Sequence, residues 1–223
     1  MNFGLIIIGD EILSGKRQDG HLPKVIQLLG ERGLSLAWAR YVGDERERIV
    51  ATLRDAFASG DAVFSCGGIG ATPDDHTRQA AAAALGRELV LHPEAKSLIE
   101  QRMKDLAAEK GLSFDADAPD NIHRLNMGVF PACAEIIANP YNKIPGFSVG
   151  HVHFVPGFPV MAHPMIQNLL DTTYRHLHGS QRQVERSVIV FGAMEATLTP
   201  LMEAIEREHP GVKVFSLPSV DHP

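Results

Sequence analysis

The residues best equipped for chemistry lie in one short run, GGIGATPDDHT at 67–77. Gly67, Gly68 and Gly70 allow positive φ and carry no Cβ to keep a ligand from the backbone N–H groups, which suits a phosphate. Asp74 and Asp75 follow at once, and carboxylates are the ligands that hard divalent cations take. A helix starting behind the loop would add about half a positive charge and unpaired N–H groups. The competing account is that Asp75 only caps that helix. Thr72 reads as its N-cap and Pro73 as its first residue, and Asp75 stands three positions after the cap, the spacing of a capping box. Both accounts stay open on these residues alone, since the run is neither the dinucleotide fingerprint nor the Lys-bearing P-loop.

The elements that position this loop can be read on either side of it. Asp61–Cys66 is a short apolar run that predicts a buried strand, and the helix from Thr72 continues through Ala80–Ala84 to a stop at Gly86. Leu5–Ile8 predicts a first strand, which delivers Asp10 and Glu11 to the C-terminal edge where open α/β sheets bind ligands. Leu22, Val25, Ile26 and Leu29 mark a helix ending near Gly33. Leu34–Val42 supplies a second strand. Asp44 then opens a helix with Glu47 three positions on, a spacing that accounts for Asp44 as a cap without any function. Ile49, Val50, Leu53, Ala56 and Phe57 line that helix, and Gly60 closes it. Three consecutive βα units predict a mostly parallel sheet with helices on both faces.

Pro93–Lys110 reads as a further helix, and the polar segment at 111–128 as a loop over the surface near the site. Ala134–Ala138 predicts a strand and Asn139–Gly146 a loop. His151–Val155 is a strand running into Pro156-Gly157-Phe158-Pro159. His151 and His153 share one strand face; lacking a third ligand, they read as a solvated face rather than a metal site. Met161–Tyr174 is a helix. The polar stretch at 176–183 reads as a linker, after which Val188–Phe191, a helix at 195–208, and Val212–Phe215 predict a small β-α-β unit. At about forty residues it must pack on the first domain or on a neighbouring subunit.

The 223 residues carry a net charge of −6, which argues against a nucleic-acid-binding surface as the main business of the chain. Two cysteines, Cys66 and Cys133, give neither a disulfide framework nor a zinc spacing, and fit a reducing cytoplasm. The opening apolar run is too short for a signal peptide or a membrane span. A cytoplasmic protein is expected, with no membrane partner.

Four segments in order, GDEILSG at 9–15, VGDERERIVATL at 42–53, GGIGATPDDHTR at 67–78, and PGF with VPGFP at 145–147 and 155–159, resemble the molybdopterin-binding MoaB/Mog domain. They are closest to its variant at the N-terminus of CinA (competence/damage-inducible protein A). The resemblance covers residues 1–176; residues 184–223 resemble the small KH-like unit that follows, and the C-terminal amidohydrolase domain of full CinA is not seen in this sequence. The fold implied is a three-layer α/β/α sandwich. The Mog branch adenylylates molybdopterin with ATP, and CinA-type domains are linked to metal-dependent hydrolysis of pyrophosphates such as ADP-ribose. By this resemblance Gly67, Gly68, Gly70 and Thr72 would cradle phosphate. Asp75 would be catalytic and, with Asp74, hold Mg²⁺ or alternatively Mn²⁺ or Co²⁺. Thr77 would support the loop. Asp44 would be the second catalytic aspartate, Asp10 and Ser14 part of the first binding loop, and Pro156 and Gly157 the far wall. A nucleotide or pterin phosphate is the implied ligand, and a homo-oligomer, dimer or trimer, the implied assembly. The pattern is departed from at His21, at Asn142-Lys143-Ile144 and at Val160-Met161, where a Ser-Glu pair is expected. That last loss favours a non-catalytic binder, whereas Asp44, Asp74 and Asp75 favour a metal-dependent nucleotide pyrophosphatase or a molybdopterin adenylyltransferase.

Overall fold

Phe3–Ile8 is buried at every position, and a strand with no polar face belongs inside a sheet covered on both sides. The computed structural model of the chain describes residues 1–179 and 186–217, and this strand, β1, has a paired strand on each side. After β1 come α1 (Asp10–Leu13), α2 (His21–Gly30), β2 (Leu36–Val42), α3 (Arg46–Ser59), β3 (Ala62–Cys66) and α4 (Thr77–Leu85). The chain continues through β4 (Leu89–Leu91), α5 (Pro93–Glu109), α6 (Pro119–Leu125), β5 (Val129–Pro131), β6 (Glu135–Ile137), β7 (Gly146–Val149), β8 (Val152–Val155), α7 (Pro159–Asp171) and, after 3₁₀ turns at Asn126–Gly128 and Arg175–Leu177, α8 (Glu195–Glu208).

The main sheet has the order β2-β1-β3-β8-β7-β6, parallel across the first four strands and antiparallel at β7 and β6. Alternation along β1 sends Leu5 and Ile7 to one face, with Val25 and Leu29 of α2 and Met165 and Ile166 of α7. Ile6 and Ile8 go to the other, with Ile49 and Leu53 of α3 and Ala80 and Ala81 of α4. This is the α/β/α sandwich that the three βα units predict.

Several local expectations are corrected. The helix behind the glycine loop begins at Thr77, four residues later than the Thr72 cap predicts, although it ends as expected with Gly86 at φ 62°. Asp44 does not cap α3: Glu45 holds that position and no side chain caps the helix. Ile26 is exposed, and Leu28 takes its place in the core. The segment at 111–128 contains α6, and β7 lies partly within what reads as a loop. His153 is not on a solvated face. It is buried, with its Nδ1 2.7 Å from Ser148 Oγ and its Nε2 2.7 Å from Tyr174 Oη.

The chain divides into two units, residues 1–182 and 183–223. In the second, α8 forms as predicted, but Val188–Phe191 and Val212–Phe215 are not strands. A strand needs a hydrogen-bonded neighbour, and the described residues of this unit pair no other extended segment with either. Part of the expected linker, 180–183, and the expected start of the second domain at 184 lie outside the described residues.

Candidate functional site

Because β2, β1, β3 and β8 run parallel, the segments that leave their C-terminal ends emerge along one edge. These are Gly9-Asp10, Gly43-Asp44, Gly67-Gly68 and Pro156-Gly157. Asp10 and Asp44 join there: the Asp10 N–H donates to Asp44 Oδ2 at 2.9 Å, and the Asp44 N–H donates to Asp10 Oδ1 at 3.2 Å. A Cβ at Gly43 would stand 2.5 Å from Asp10 Oδ1, so glycine is required before Asp44 for the pair to close. Each carboxylate keeps one oxygen, Asp10 Oδ2 and Asp44 Oδ1, without a hydrogen bond among the described residues. Partial burial pushes the Asp44 carboxyl above its ordinary range; the charges of Asp10, Glu11 and Asp74 add to this, while the Asp10 N–H opposes it. Four carboxylates thus share this edge. Ser14 closes the turn of α1, its N–H donating to Asp10 O at 2.8 Å and its hydroxyl to Glu11 O at 3.4 Å.

The glycine loop is held from inside. Thr77 is fully buried; its hydroxyl donates to Gly67 O at 3.0 Å and its N–H to Gly68 O at 2.9 Å. Gly68 has φ 69°, and the place a Cβ would take there is filled by Thr77 Oγ1. The Asp75 Oδ2 accepts from both the Thr72 N–H (2.8 Å) and the Thr72 hydroxyl (2.6 Å), and this carboxylate occupies the space beside Gly70. The capping-box spacing therefore makes a turn that stands ahead of the helix, not a helix cap. Two of the glycines read as ligand clearance serve the loop's own packing.

Gly157 lies against this loop, with its missing Cβ 3.3 Å from Gly67 Cα. Its carbonyl accepts from His21 Nε2 at 3.1 Å. His21 is buried, burial drives its pKa down, and its ring meets that of His163 edge-on at 5.3 Å. Asp19 fixes the start of α2 by accepting from the N–H groups of His21 (2.8 Å) and Leu22 (3.1 Å), and from the Tyr41 hydroxyl (2.8 Å). The sequence signal for this support was the Asp two positions before His21. Lys143, one of the departures from the family pattern, pairs with Asp105 at 2.6 Å.

Arg78, to which residue type and spacing assign no role, lies beside this loop. It is 5% exposed, and its Nη2 donates to Gly70 O at 2.5 Å. His123 of α6 meets the loop at Ala71 O, 2.9 Å away. The hint available was a basic residue directly after the buried Thr77. Among the described residues no three His, Cys, Asp or Glu side chains gather as a metal cage. Mg²⁺, however, is ordinarily held by one or two carboxylates together with substrate phosphates, and the free oxygens of Asp10 and Asp44 fit that donor set.

Comparison with known proteins places residues 4–176 in the family described as "probable molybdopterin binding domain". The chain is 30% identical over 219 residues to a CinA-like protein of Syntrophotalea carbinolica, covering 92% of this chain and 50% of that one. It is 30% identical over 218 residues to a protein of Pyrobaculum calidifontis, covering 96% of this chain and 79% of that one. A solved structure of a CinA protein of unknown function from Thermoplasma acidophilum matches with a TM-score of 0.63 at 26% identity, over 76% of this chain and 96% of that chain. The chain spans about half the length of the CinA-like relatives it matches. Among the described residues, no helix is long and apolar enough to cross a membrane.

Proposed function

The chain belongs to the family of probable molybdopterin binding domains and is CinA-like, and from that premise we propose that it is a metal-dependent nucleotide pyrophosphatase acting on ADP-ribose-like dinucleotides. The observation that carries this reading is the Asp10–Asp44 pair beside the glycine loop. Asp44 is partly buried and Asp10 exposed, and among the described residues neither carboxylate pairs with a cationic side chain. A divalent ion there, Mg²⁺ or else Mn²⁺ or Co²⁺, would neutralise charge on bridging phosphates and lower the pKa of bound water.

The chain's own residues supply position. Gly67 and Gly68, fixed by Thr77, present backbone to a phosphate; Gly157, fixed by His21, closes the opposite side with Pro156. Asp10 and Asp44 hold the cation, with Asp74 adding negative charge nearby. Asp75 and Thr72 shape the loop through their shared hydrogen bonds. A homo-oligomer, dimer or trimer, belongs to the same proposal.

A second reading is a binder of a pterin or nucleotide phosphate, with the adenylyltransferase reaction as its catalytic form. It is favoured by the family's description and by Asp75, whose Oδ2 is already engaged by Thr72. The deciding experiment follows AMP release from ADP-ribose, FAD and NADH with each metal, for wild type, Asp44→Asn and Asp75→Ala. Metal-dependent AMP that falls by about 10²-fold or more in Asp44→Asn supports the pyrophosphatase. No AMP from any substrate, with tight binding of a pterin phosphate or nucleotide, supports the second reading.

A further inference from the structure

Beyond the strand edge, the segment that follows the glycines borders a cleft of about 390 Å³. Thr72, Asp75, His76, Arg78, His123 and Asn126 are among its lining residues; Asp10, Asp44, Gly67 and Gly157 are not. Arg78 is the unusual member. A guanidinium offers five N–H donors, yet at 5% exposure this one makes a single hydrogen bond, to Gly70 O, and its Nε is buried with no partner among the described residues. Among the described residues it forms no ion pair. Asp75 contributes attraction from nearby, but burial outweighs it and lowers the Arg78 pKa. A buried cation without a bonded counter-charge is an unstable arrangement that an anion would relieve.

The rest of the cleft suits a phosphate. The His76 ring and the Asn126 amide are capable donors; in the His123 ring Nε2–H already serves Ala71 O, which leaves the Nδ1–H of the imidazolium for the anion; and the planar guanidinium matches a phosphate's oxygens better than any other cationic side chain. We propose that this cleft is a second anion subsite, in which Arg78, with His123 and Asn126, binds a phosphate group. It stands independently of whether the Asp10–Asp44 edge hydrolyses anything. The phosphate could belong to a nucleotide or be free phosphate or pyrophosphate.

The test is isothermal titration of the full chain, without added metal, with AMP, inorganic phosphate and pyrophosphate. Wild type is expected to bind one anion per chain in this cleft, at least tenfold more weakly in Arg78→Met and His123→Ala, and undiminished in Asp44→Asn. Because Arg78→Met could fail to fold, Arg78→Lys, which keeps the charge but loses the planar fork, is measured beside it with circular dichroism as the check on folding; a several-fold weakening is expected. AMP binding more tightly than phosphate, with both weakened in these variants, assigns the subsite to a nucleotide; equal binding assigns it to free phosphate. Binding unchanged in His123→Ala and Arg78→Lys overturns the proposal. So does clearly tighter binding in Asp44→Asn, which would put the anion at the strand edge, where that carboxylate repels it. Failure of AMP release in the earlier assay leaves this result untouched, so the two proposals fail separately.

Discussion

Asp10 and Asp44, 34 residues apart, hold each other's backbone: each carboxylate accepts the other's N–H, at 3.2 Å and 2.9 Å. Two like charges are thereby fixed side by side, each with one oxygen left over. The arrangement stabilises two loops through hydrogen bonds while leaving a net repulsion.

That repulsion is testable in Asp44→Asn. The folded state raises the Asp44 pKa, by burial first and then by Asp10, Glu11 and Asp74. A raised carboxylate pKa means that ionisation opposes folding, so this penalty is full above the folded pKa and is relieved as pH falls through it towards the ordinary carboxylate value. Asn keeps an acceptor for the Asp10 N–H without the charge. Thermal melts at pH 7 should show Asp44→Asn unchanged or more stable, with the gain over wild type shrinking as the pH drops towards 4. A substantial destabilisation at pH 7 would contradict the repulsion.

Gly68→Ala and Gly15→Ala separate backbone strain from collision. Both glycines have φ near +70°, but only at Gly68 would a Cβ meet another atom, Thr77 Oγ1. Gly15→Ala should cost about 1 kcal/mol, the left-handed penalty alone. Gly68→Ala should cost about 3 kcal/mol, since it also displaces the buried Thr77 from Gly67 O. Urea unfolding of both variants checks this, and equal losses would remove Thr77 as the reason for Gly68.

His153 makes the fold sensitive to acid. Burial, with a smaller contribution from His151, pushes its imidazole down to about 4 from an ordinary 6.5. The neutral ring is the folded form, so its contribution is complete above pH 6.5 and is lost as pH falls towards 4, by about 3 kcal/mol in all. His153→Gln should flatten this part of a stability–pH curve. Tyr174→Phe should lower stability by about 1–3 kcal/mol at pH 7, since it leaves the buried Nε2 without its partner.

His21 holds the far wall through Gly157 O at 3.1 Å. If Gly157 and Gly67 together confine a phosphate, His21→Ala should raise KM for the AMP-releasing substrate by about tenfold while leaving the protein folded. Steady-state kinetics with circular dichroism checks both parts. A change confined to kcat would remove His21 from the positioning of substrate.

Much of the fold could be read directly. Strands β1 and β3 announce themselves as short apolar runs, and Gly60 and Gly86 stop their helices as left-handed C-caps. What misled were side chains with two possible partners. Asp44 at capping spacing and Thr72-x-x-Asp75 both look like helix starts, yet the first carboxylate bonds across to another strand's loop and the second closes an isolated turn. His153 reads as one of two histidines on a polar face, because nothing local reveals that β7 and the turn after α7 bring Ser148 and Tyr174 to its two ring nitrogens. The strands expected at 188–191 and 212–215 have the composition for pairing but no pairing segment in the described part of their unit.

By itself, then, the sequence determined the alternation of strands and helices, the two apolar faces of the sheet, and the position of the glycine loop at a strand end. Those follow from periodicity, caps and φ preferences, which act over a few residues. Tertiary structure alone decided which carboxylate meets which. Strand order sets β1 beside β2, which brings Asp10 to Asp44, and β3 beside β8, which brings the Gly67 loop to Gly157. The space left by absent Cβ atoms admits Thr77 and Asp75. The same packing buries Arg78 without a bonded counter-charge, a property that depends on everything surrounding the residue and on none of its neighbours in the chain alone.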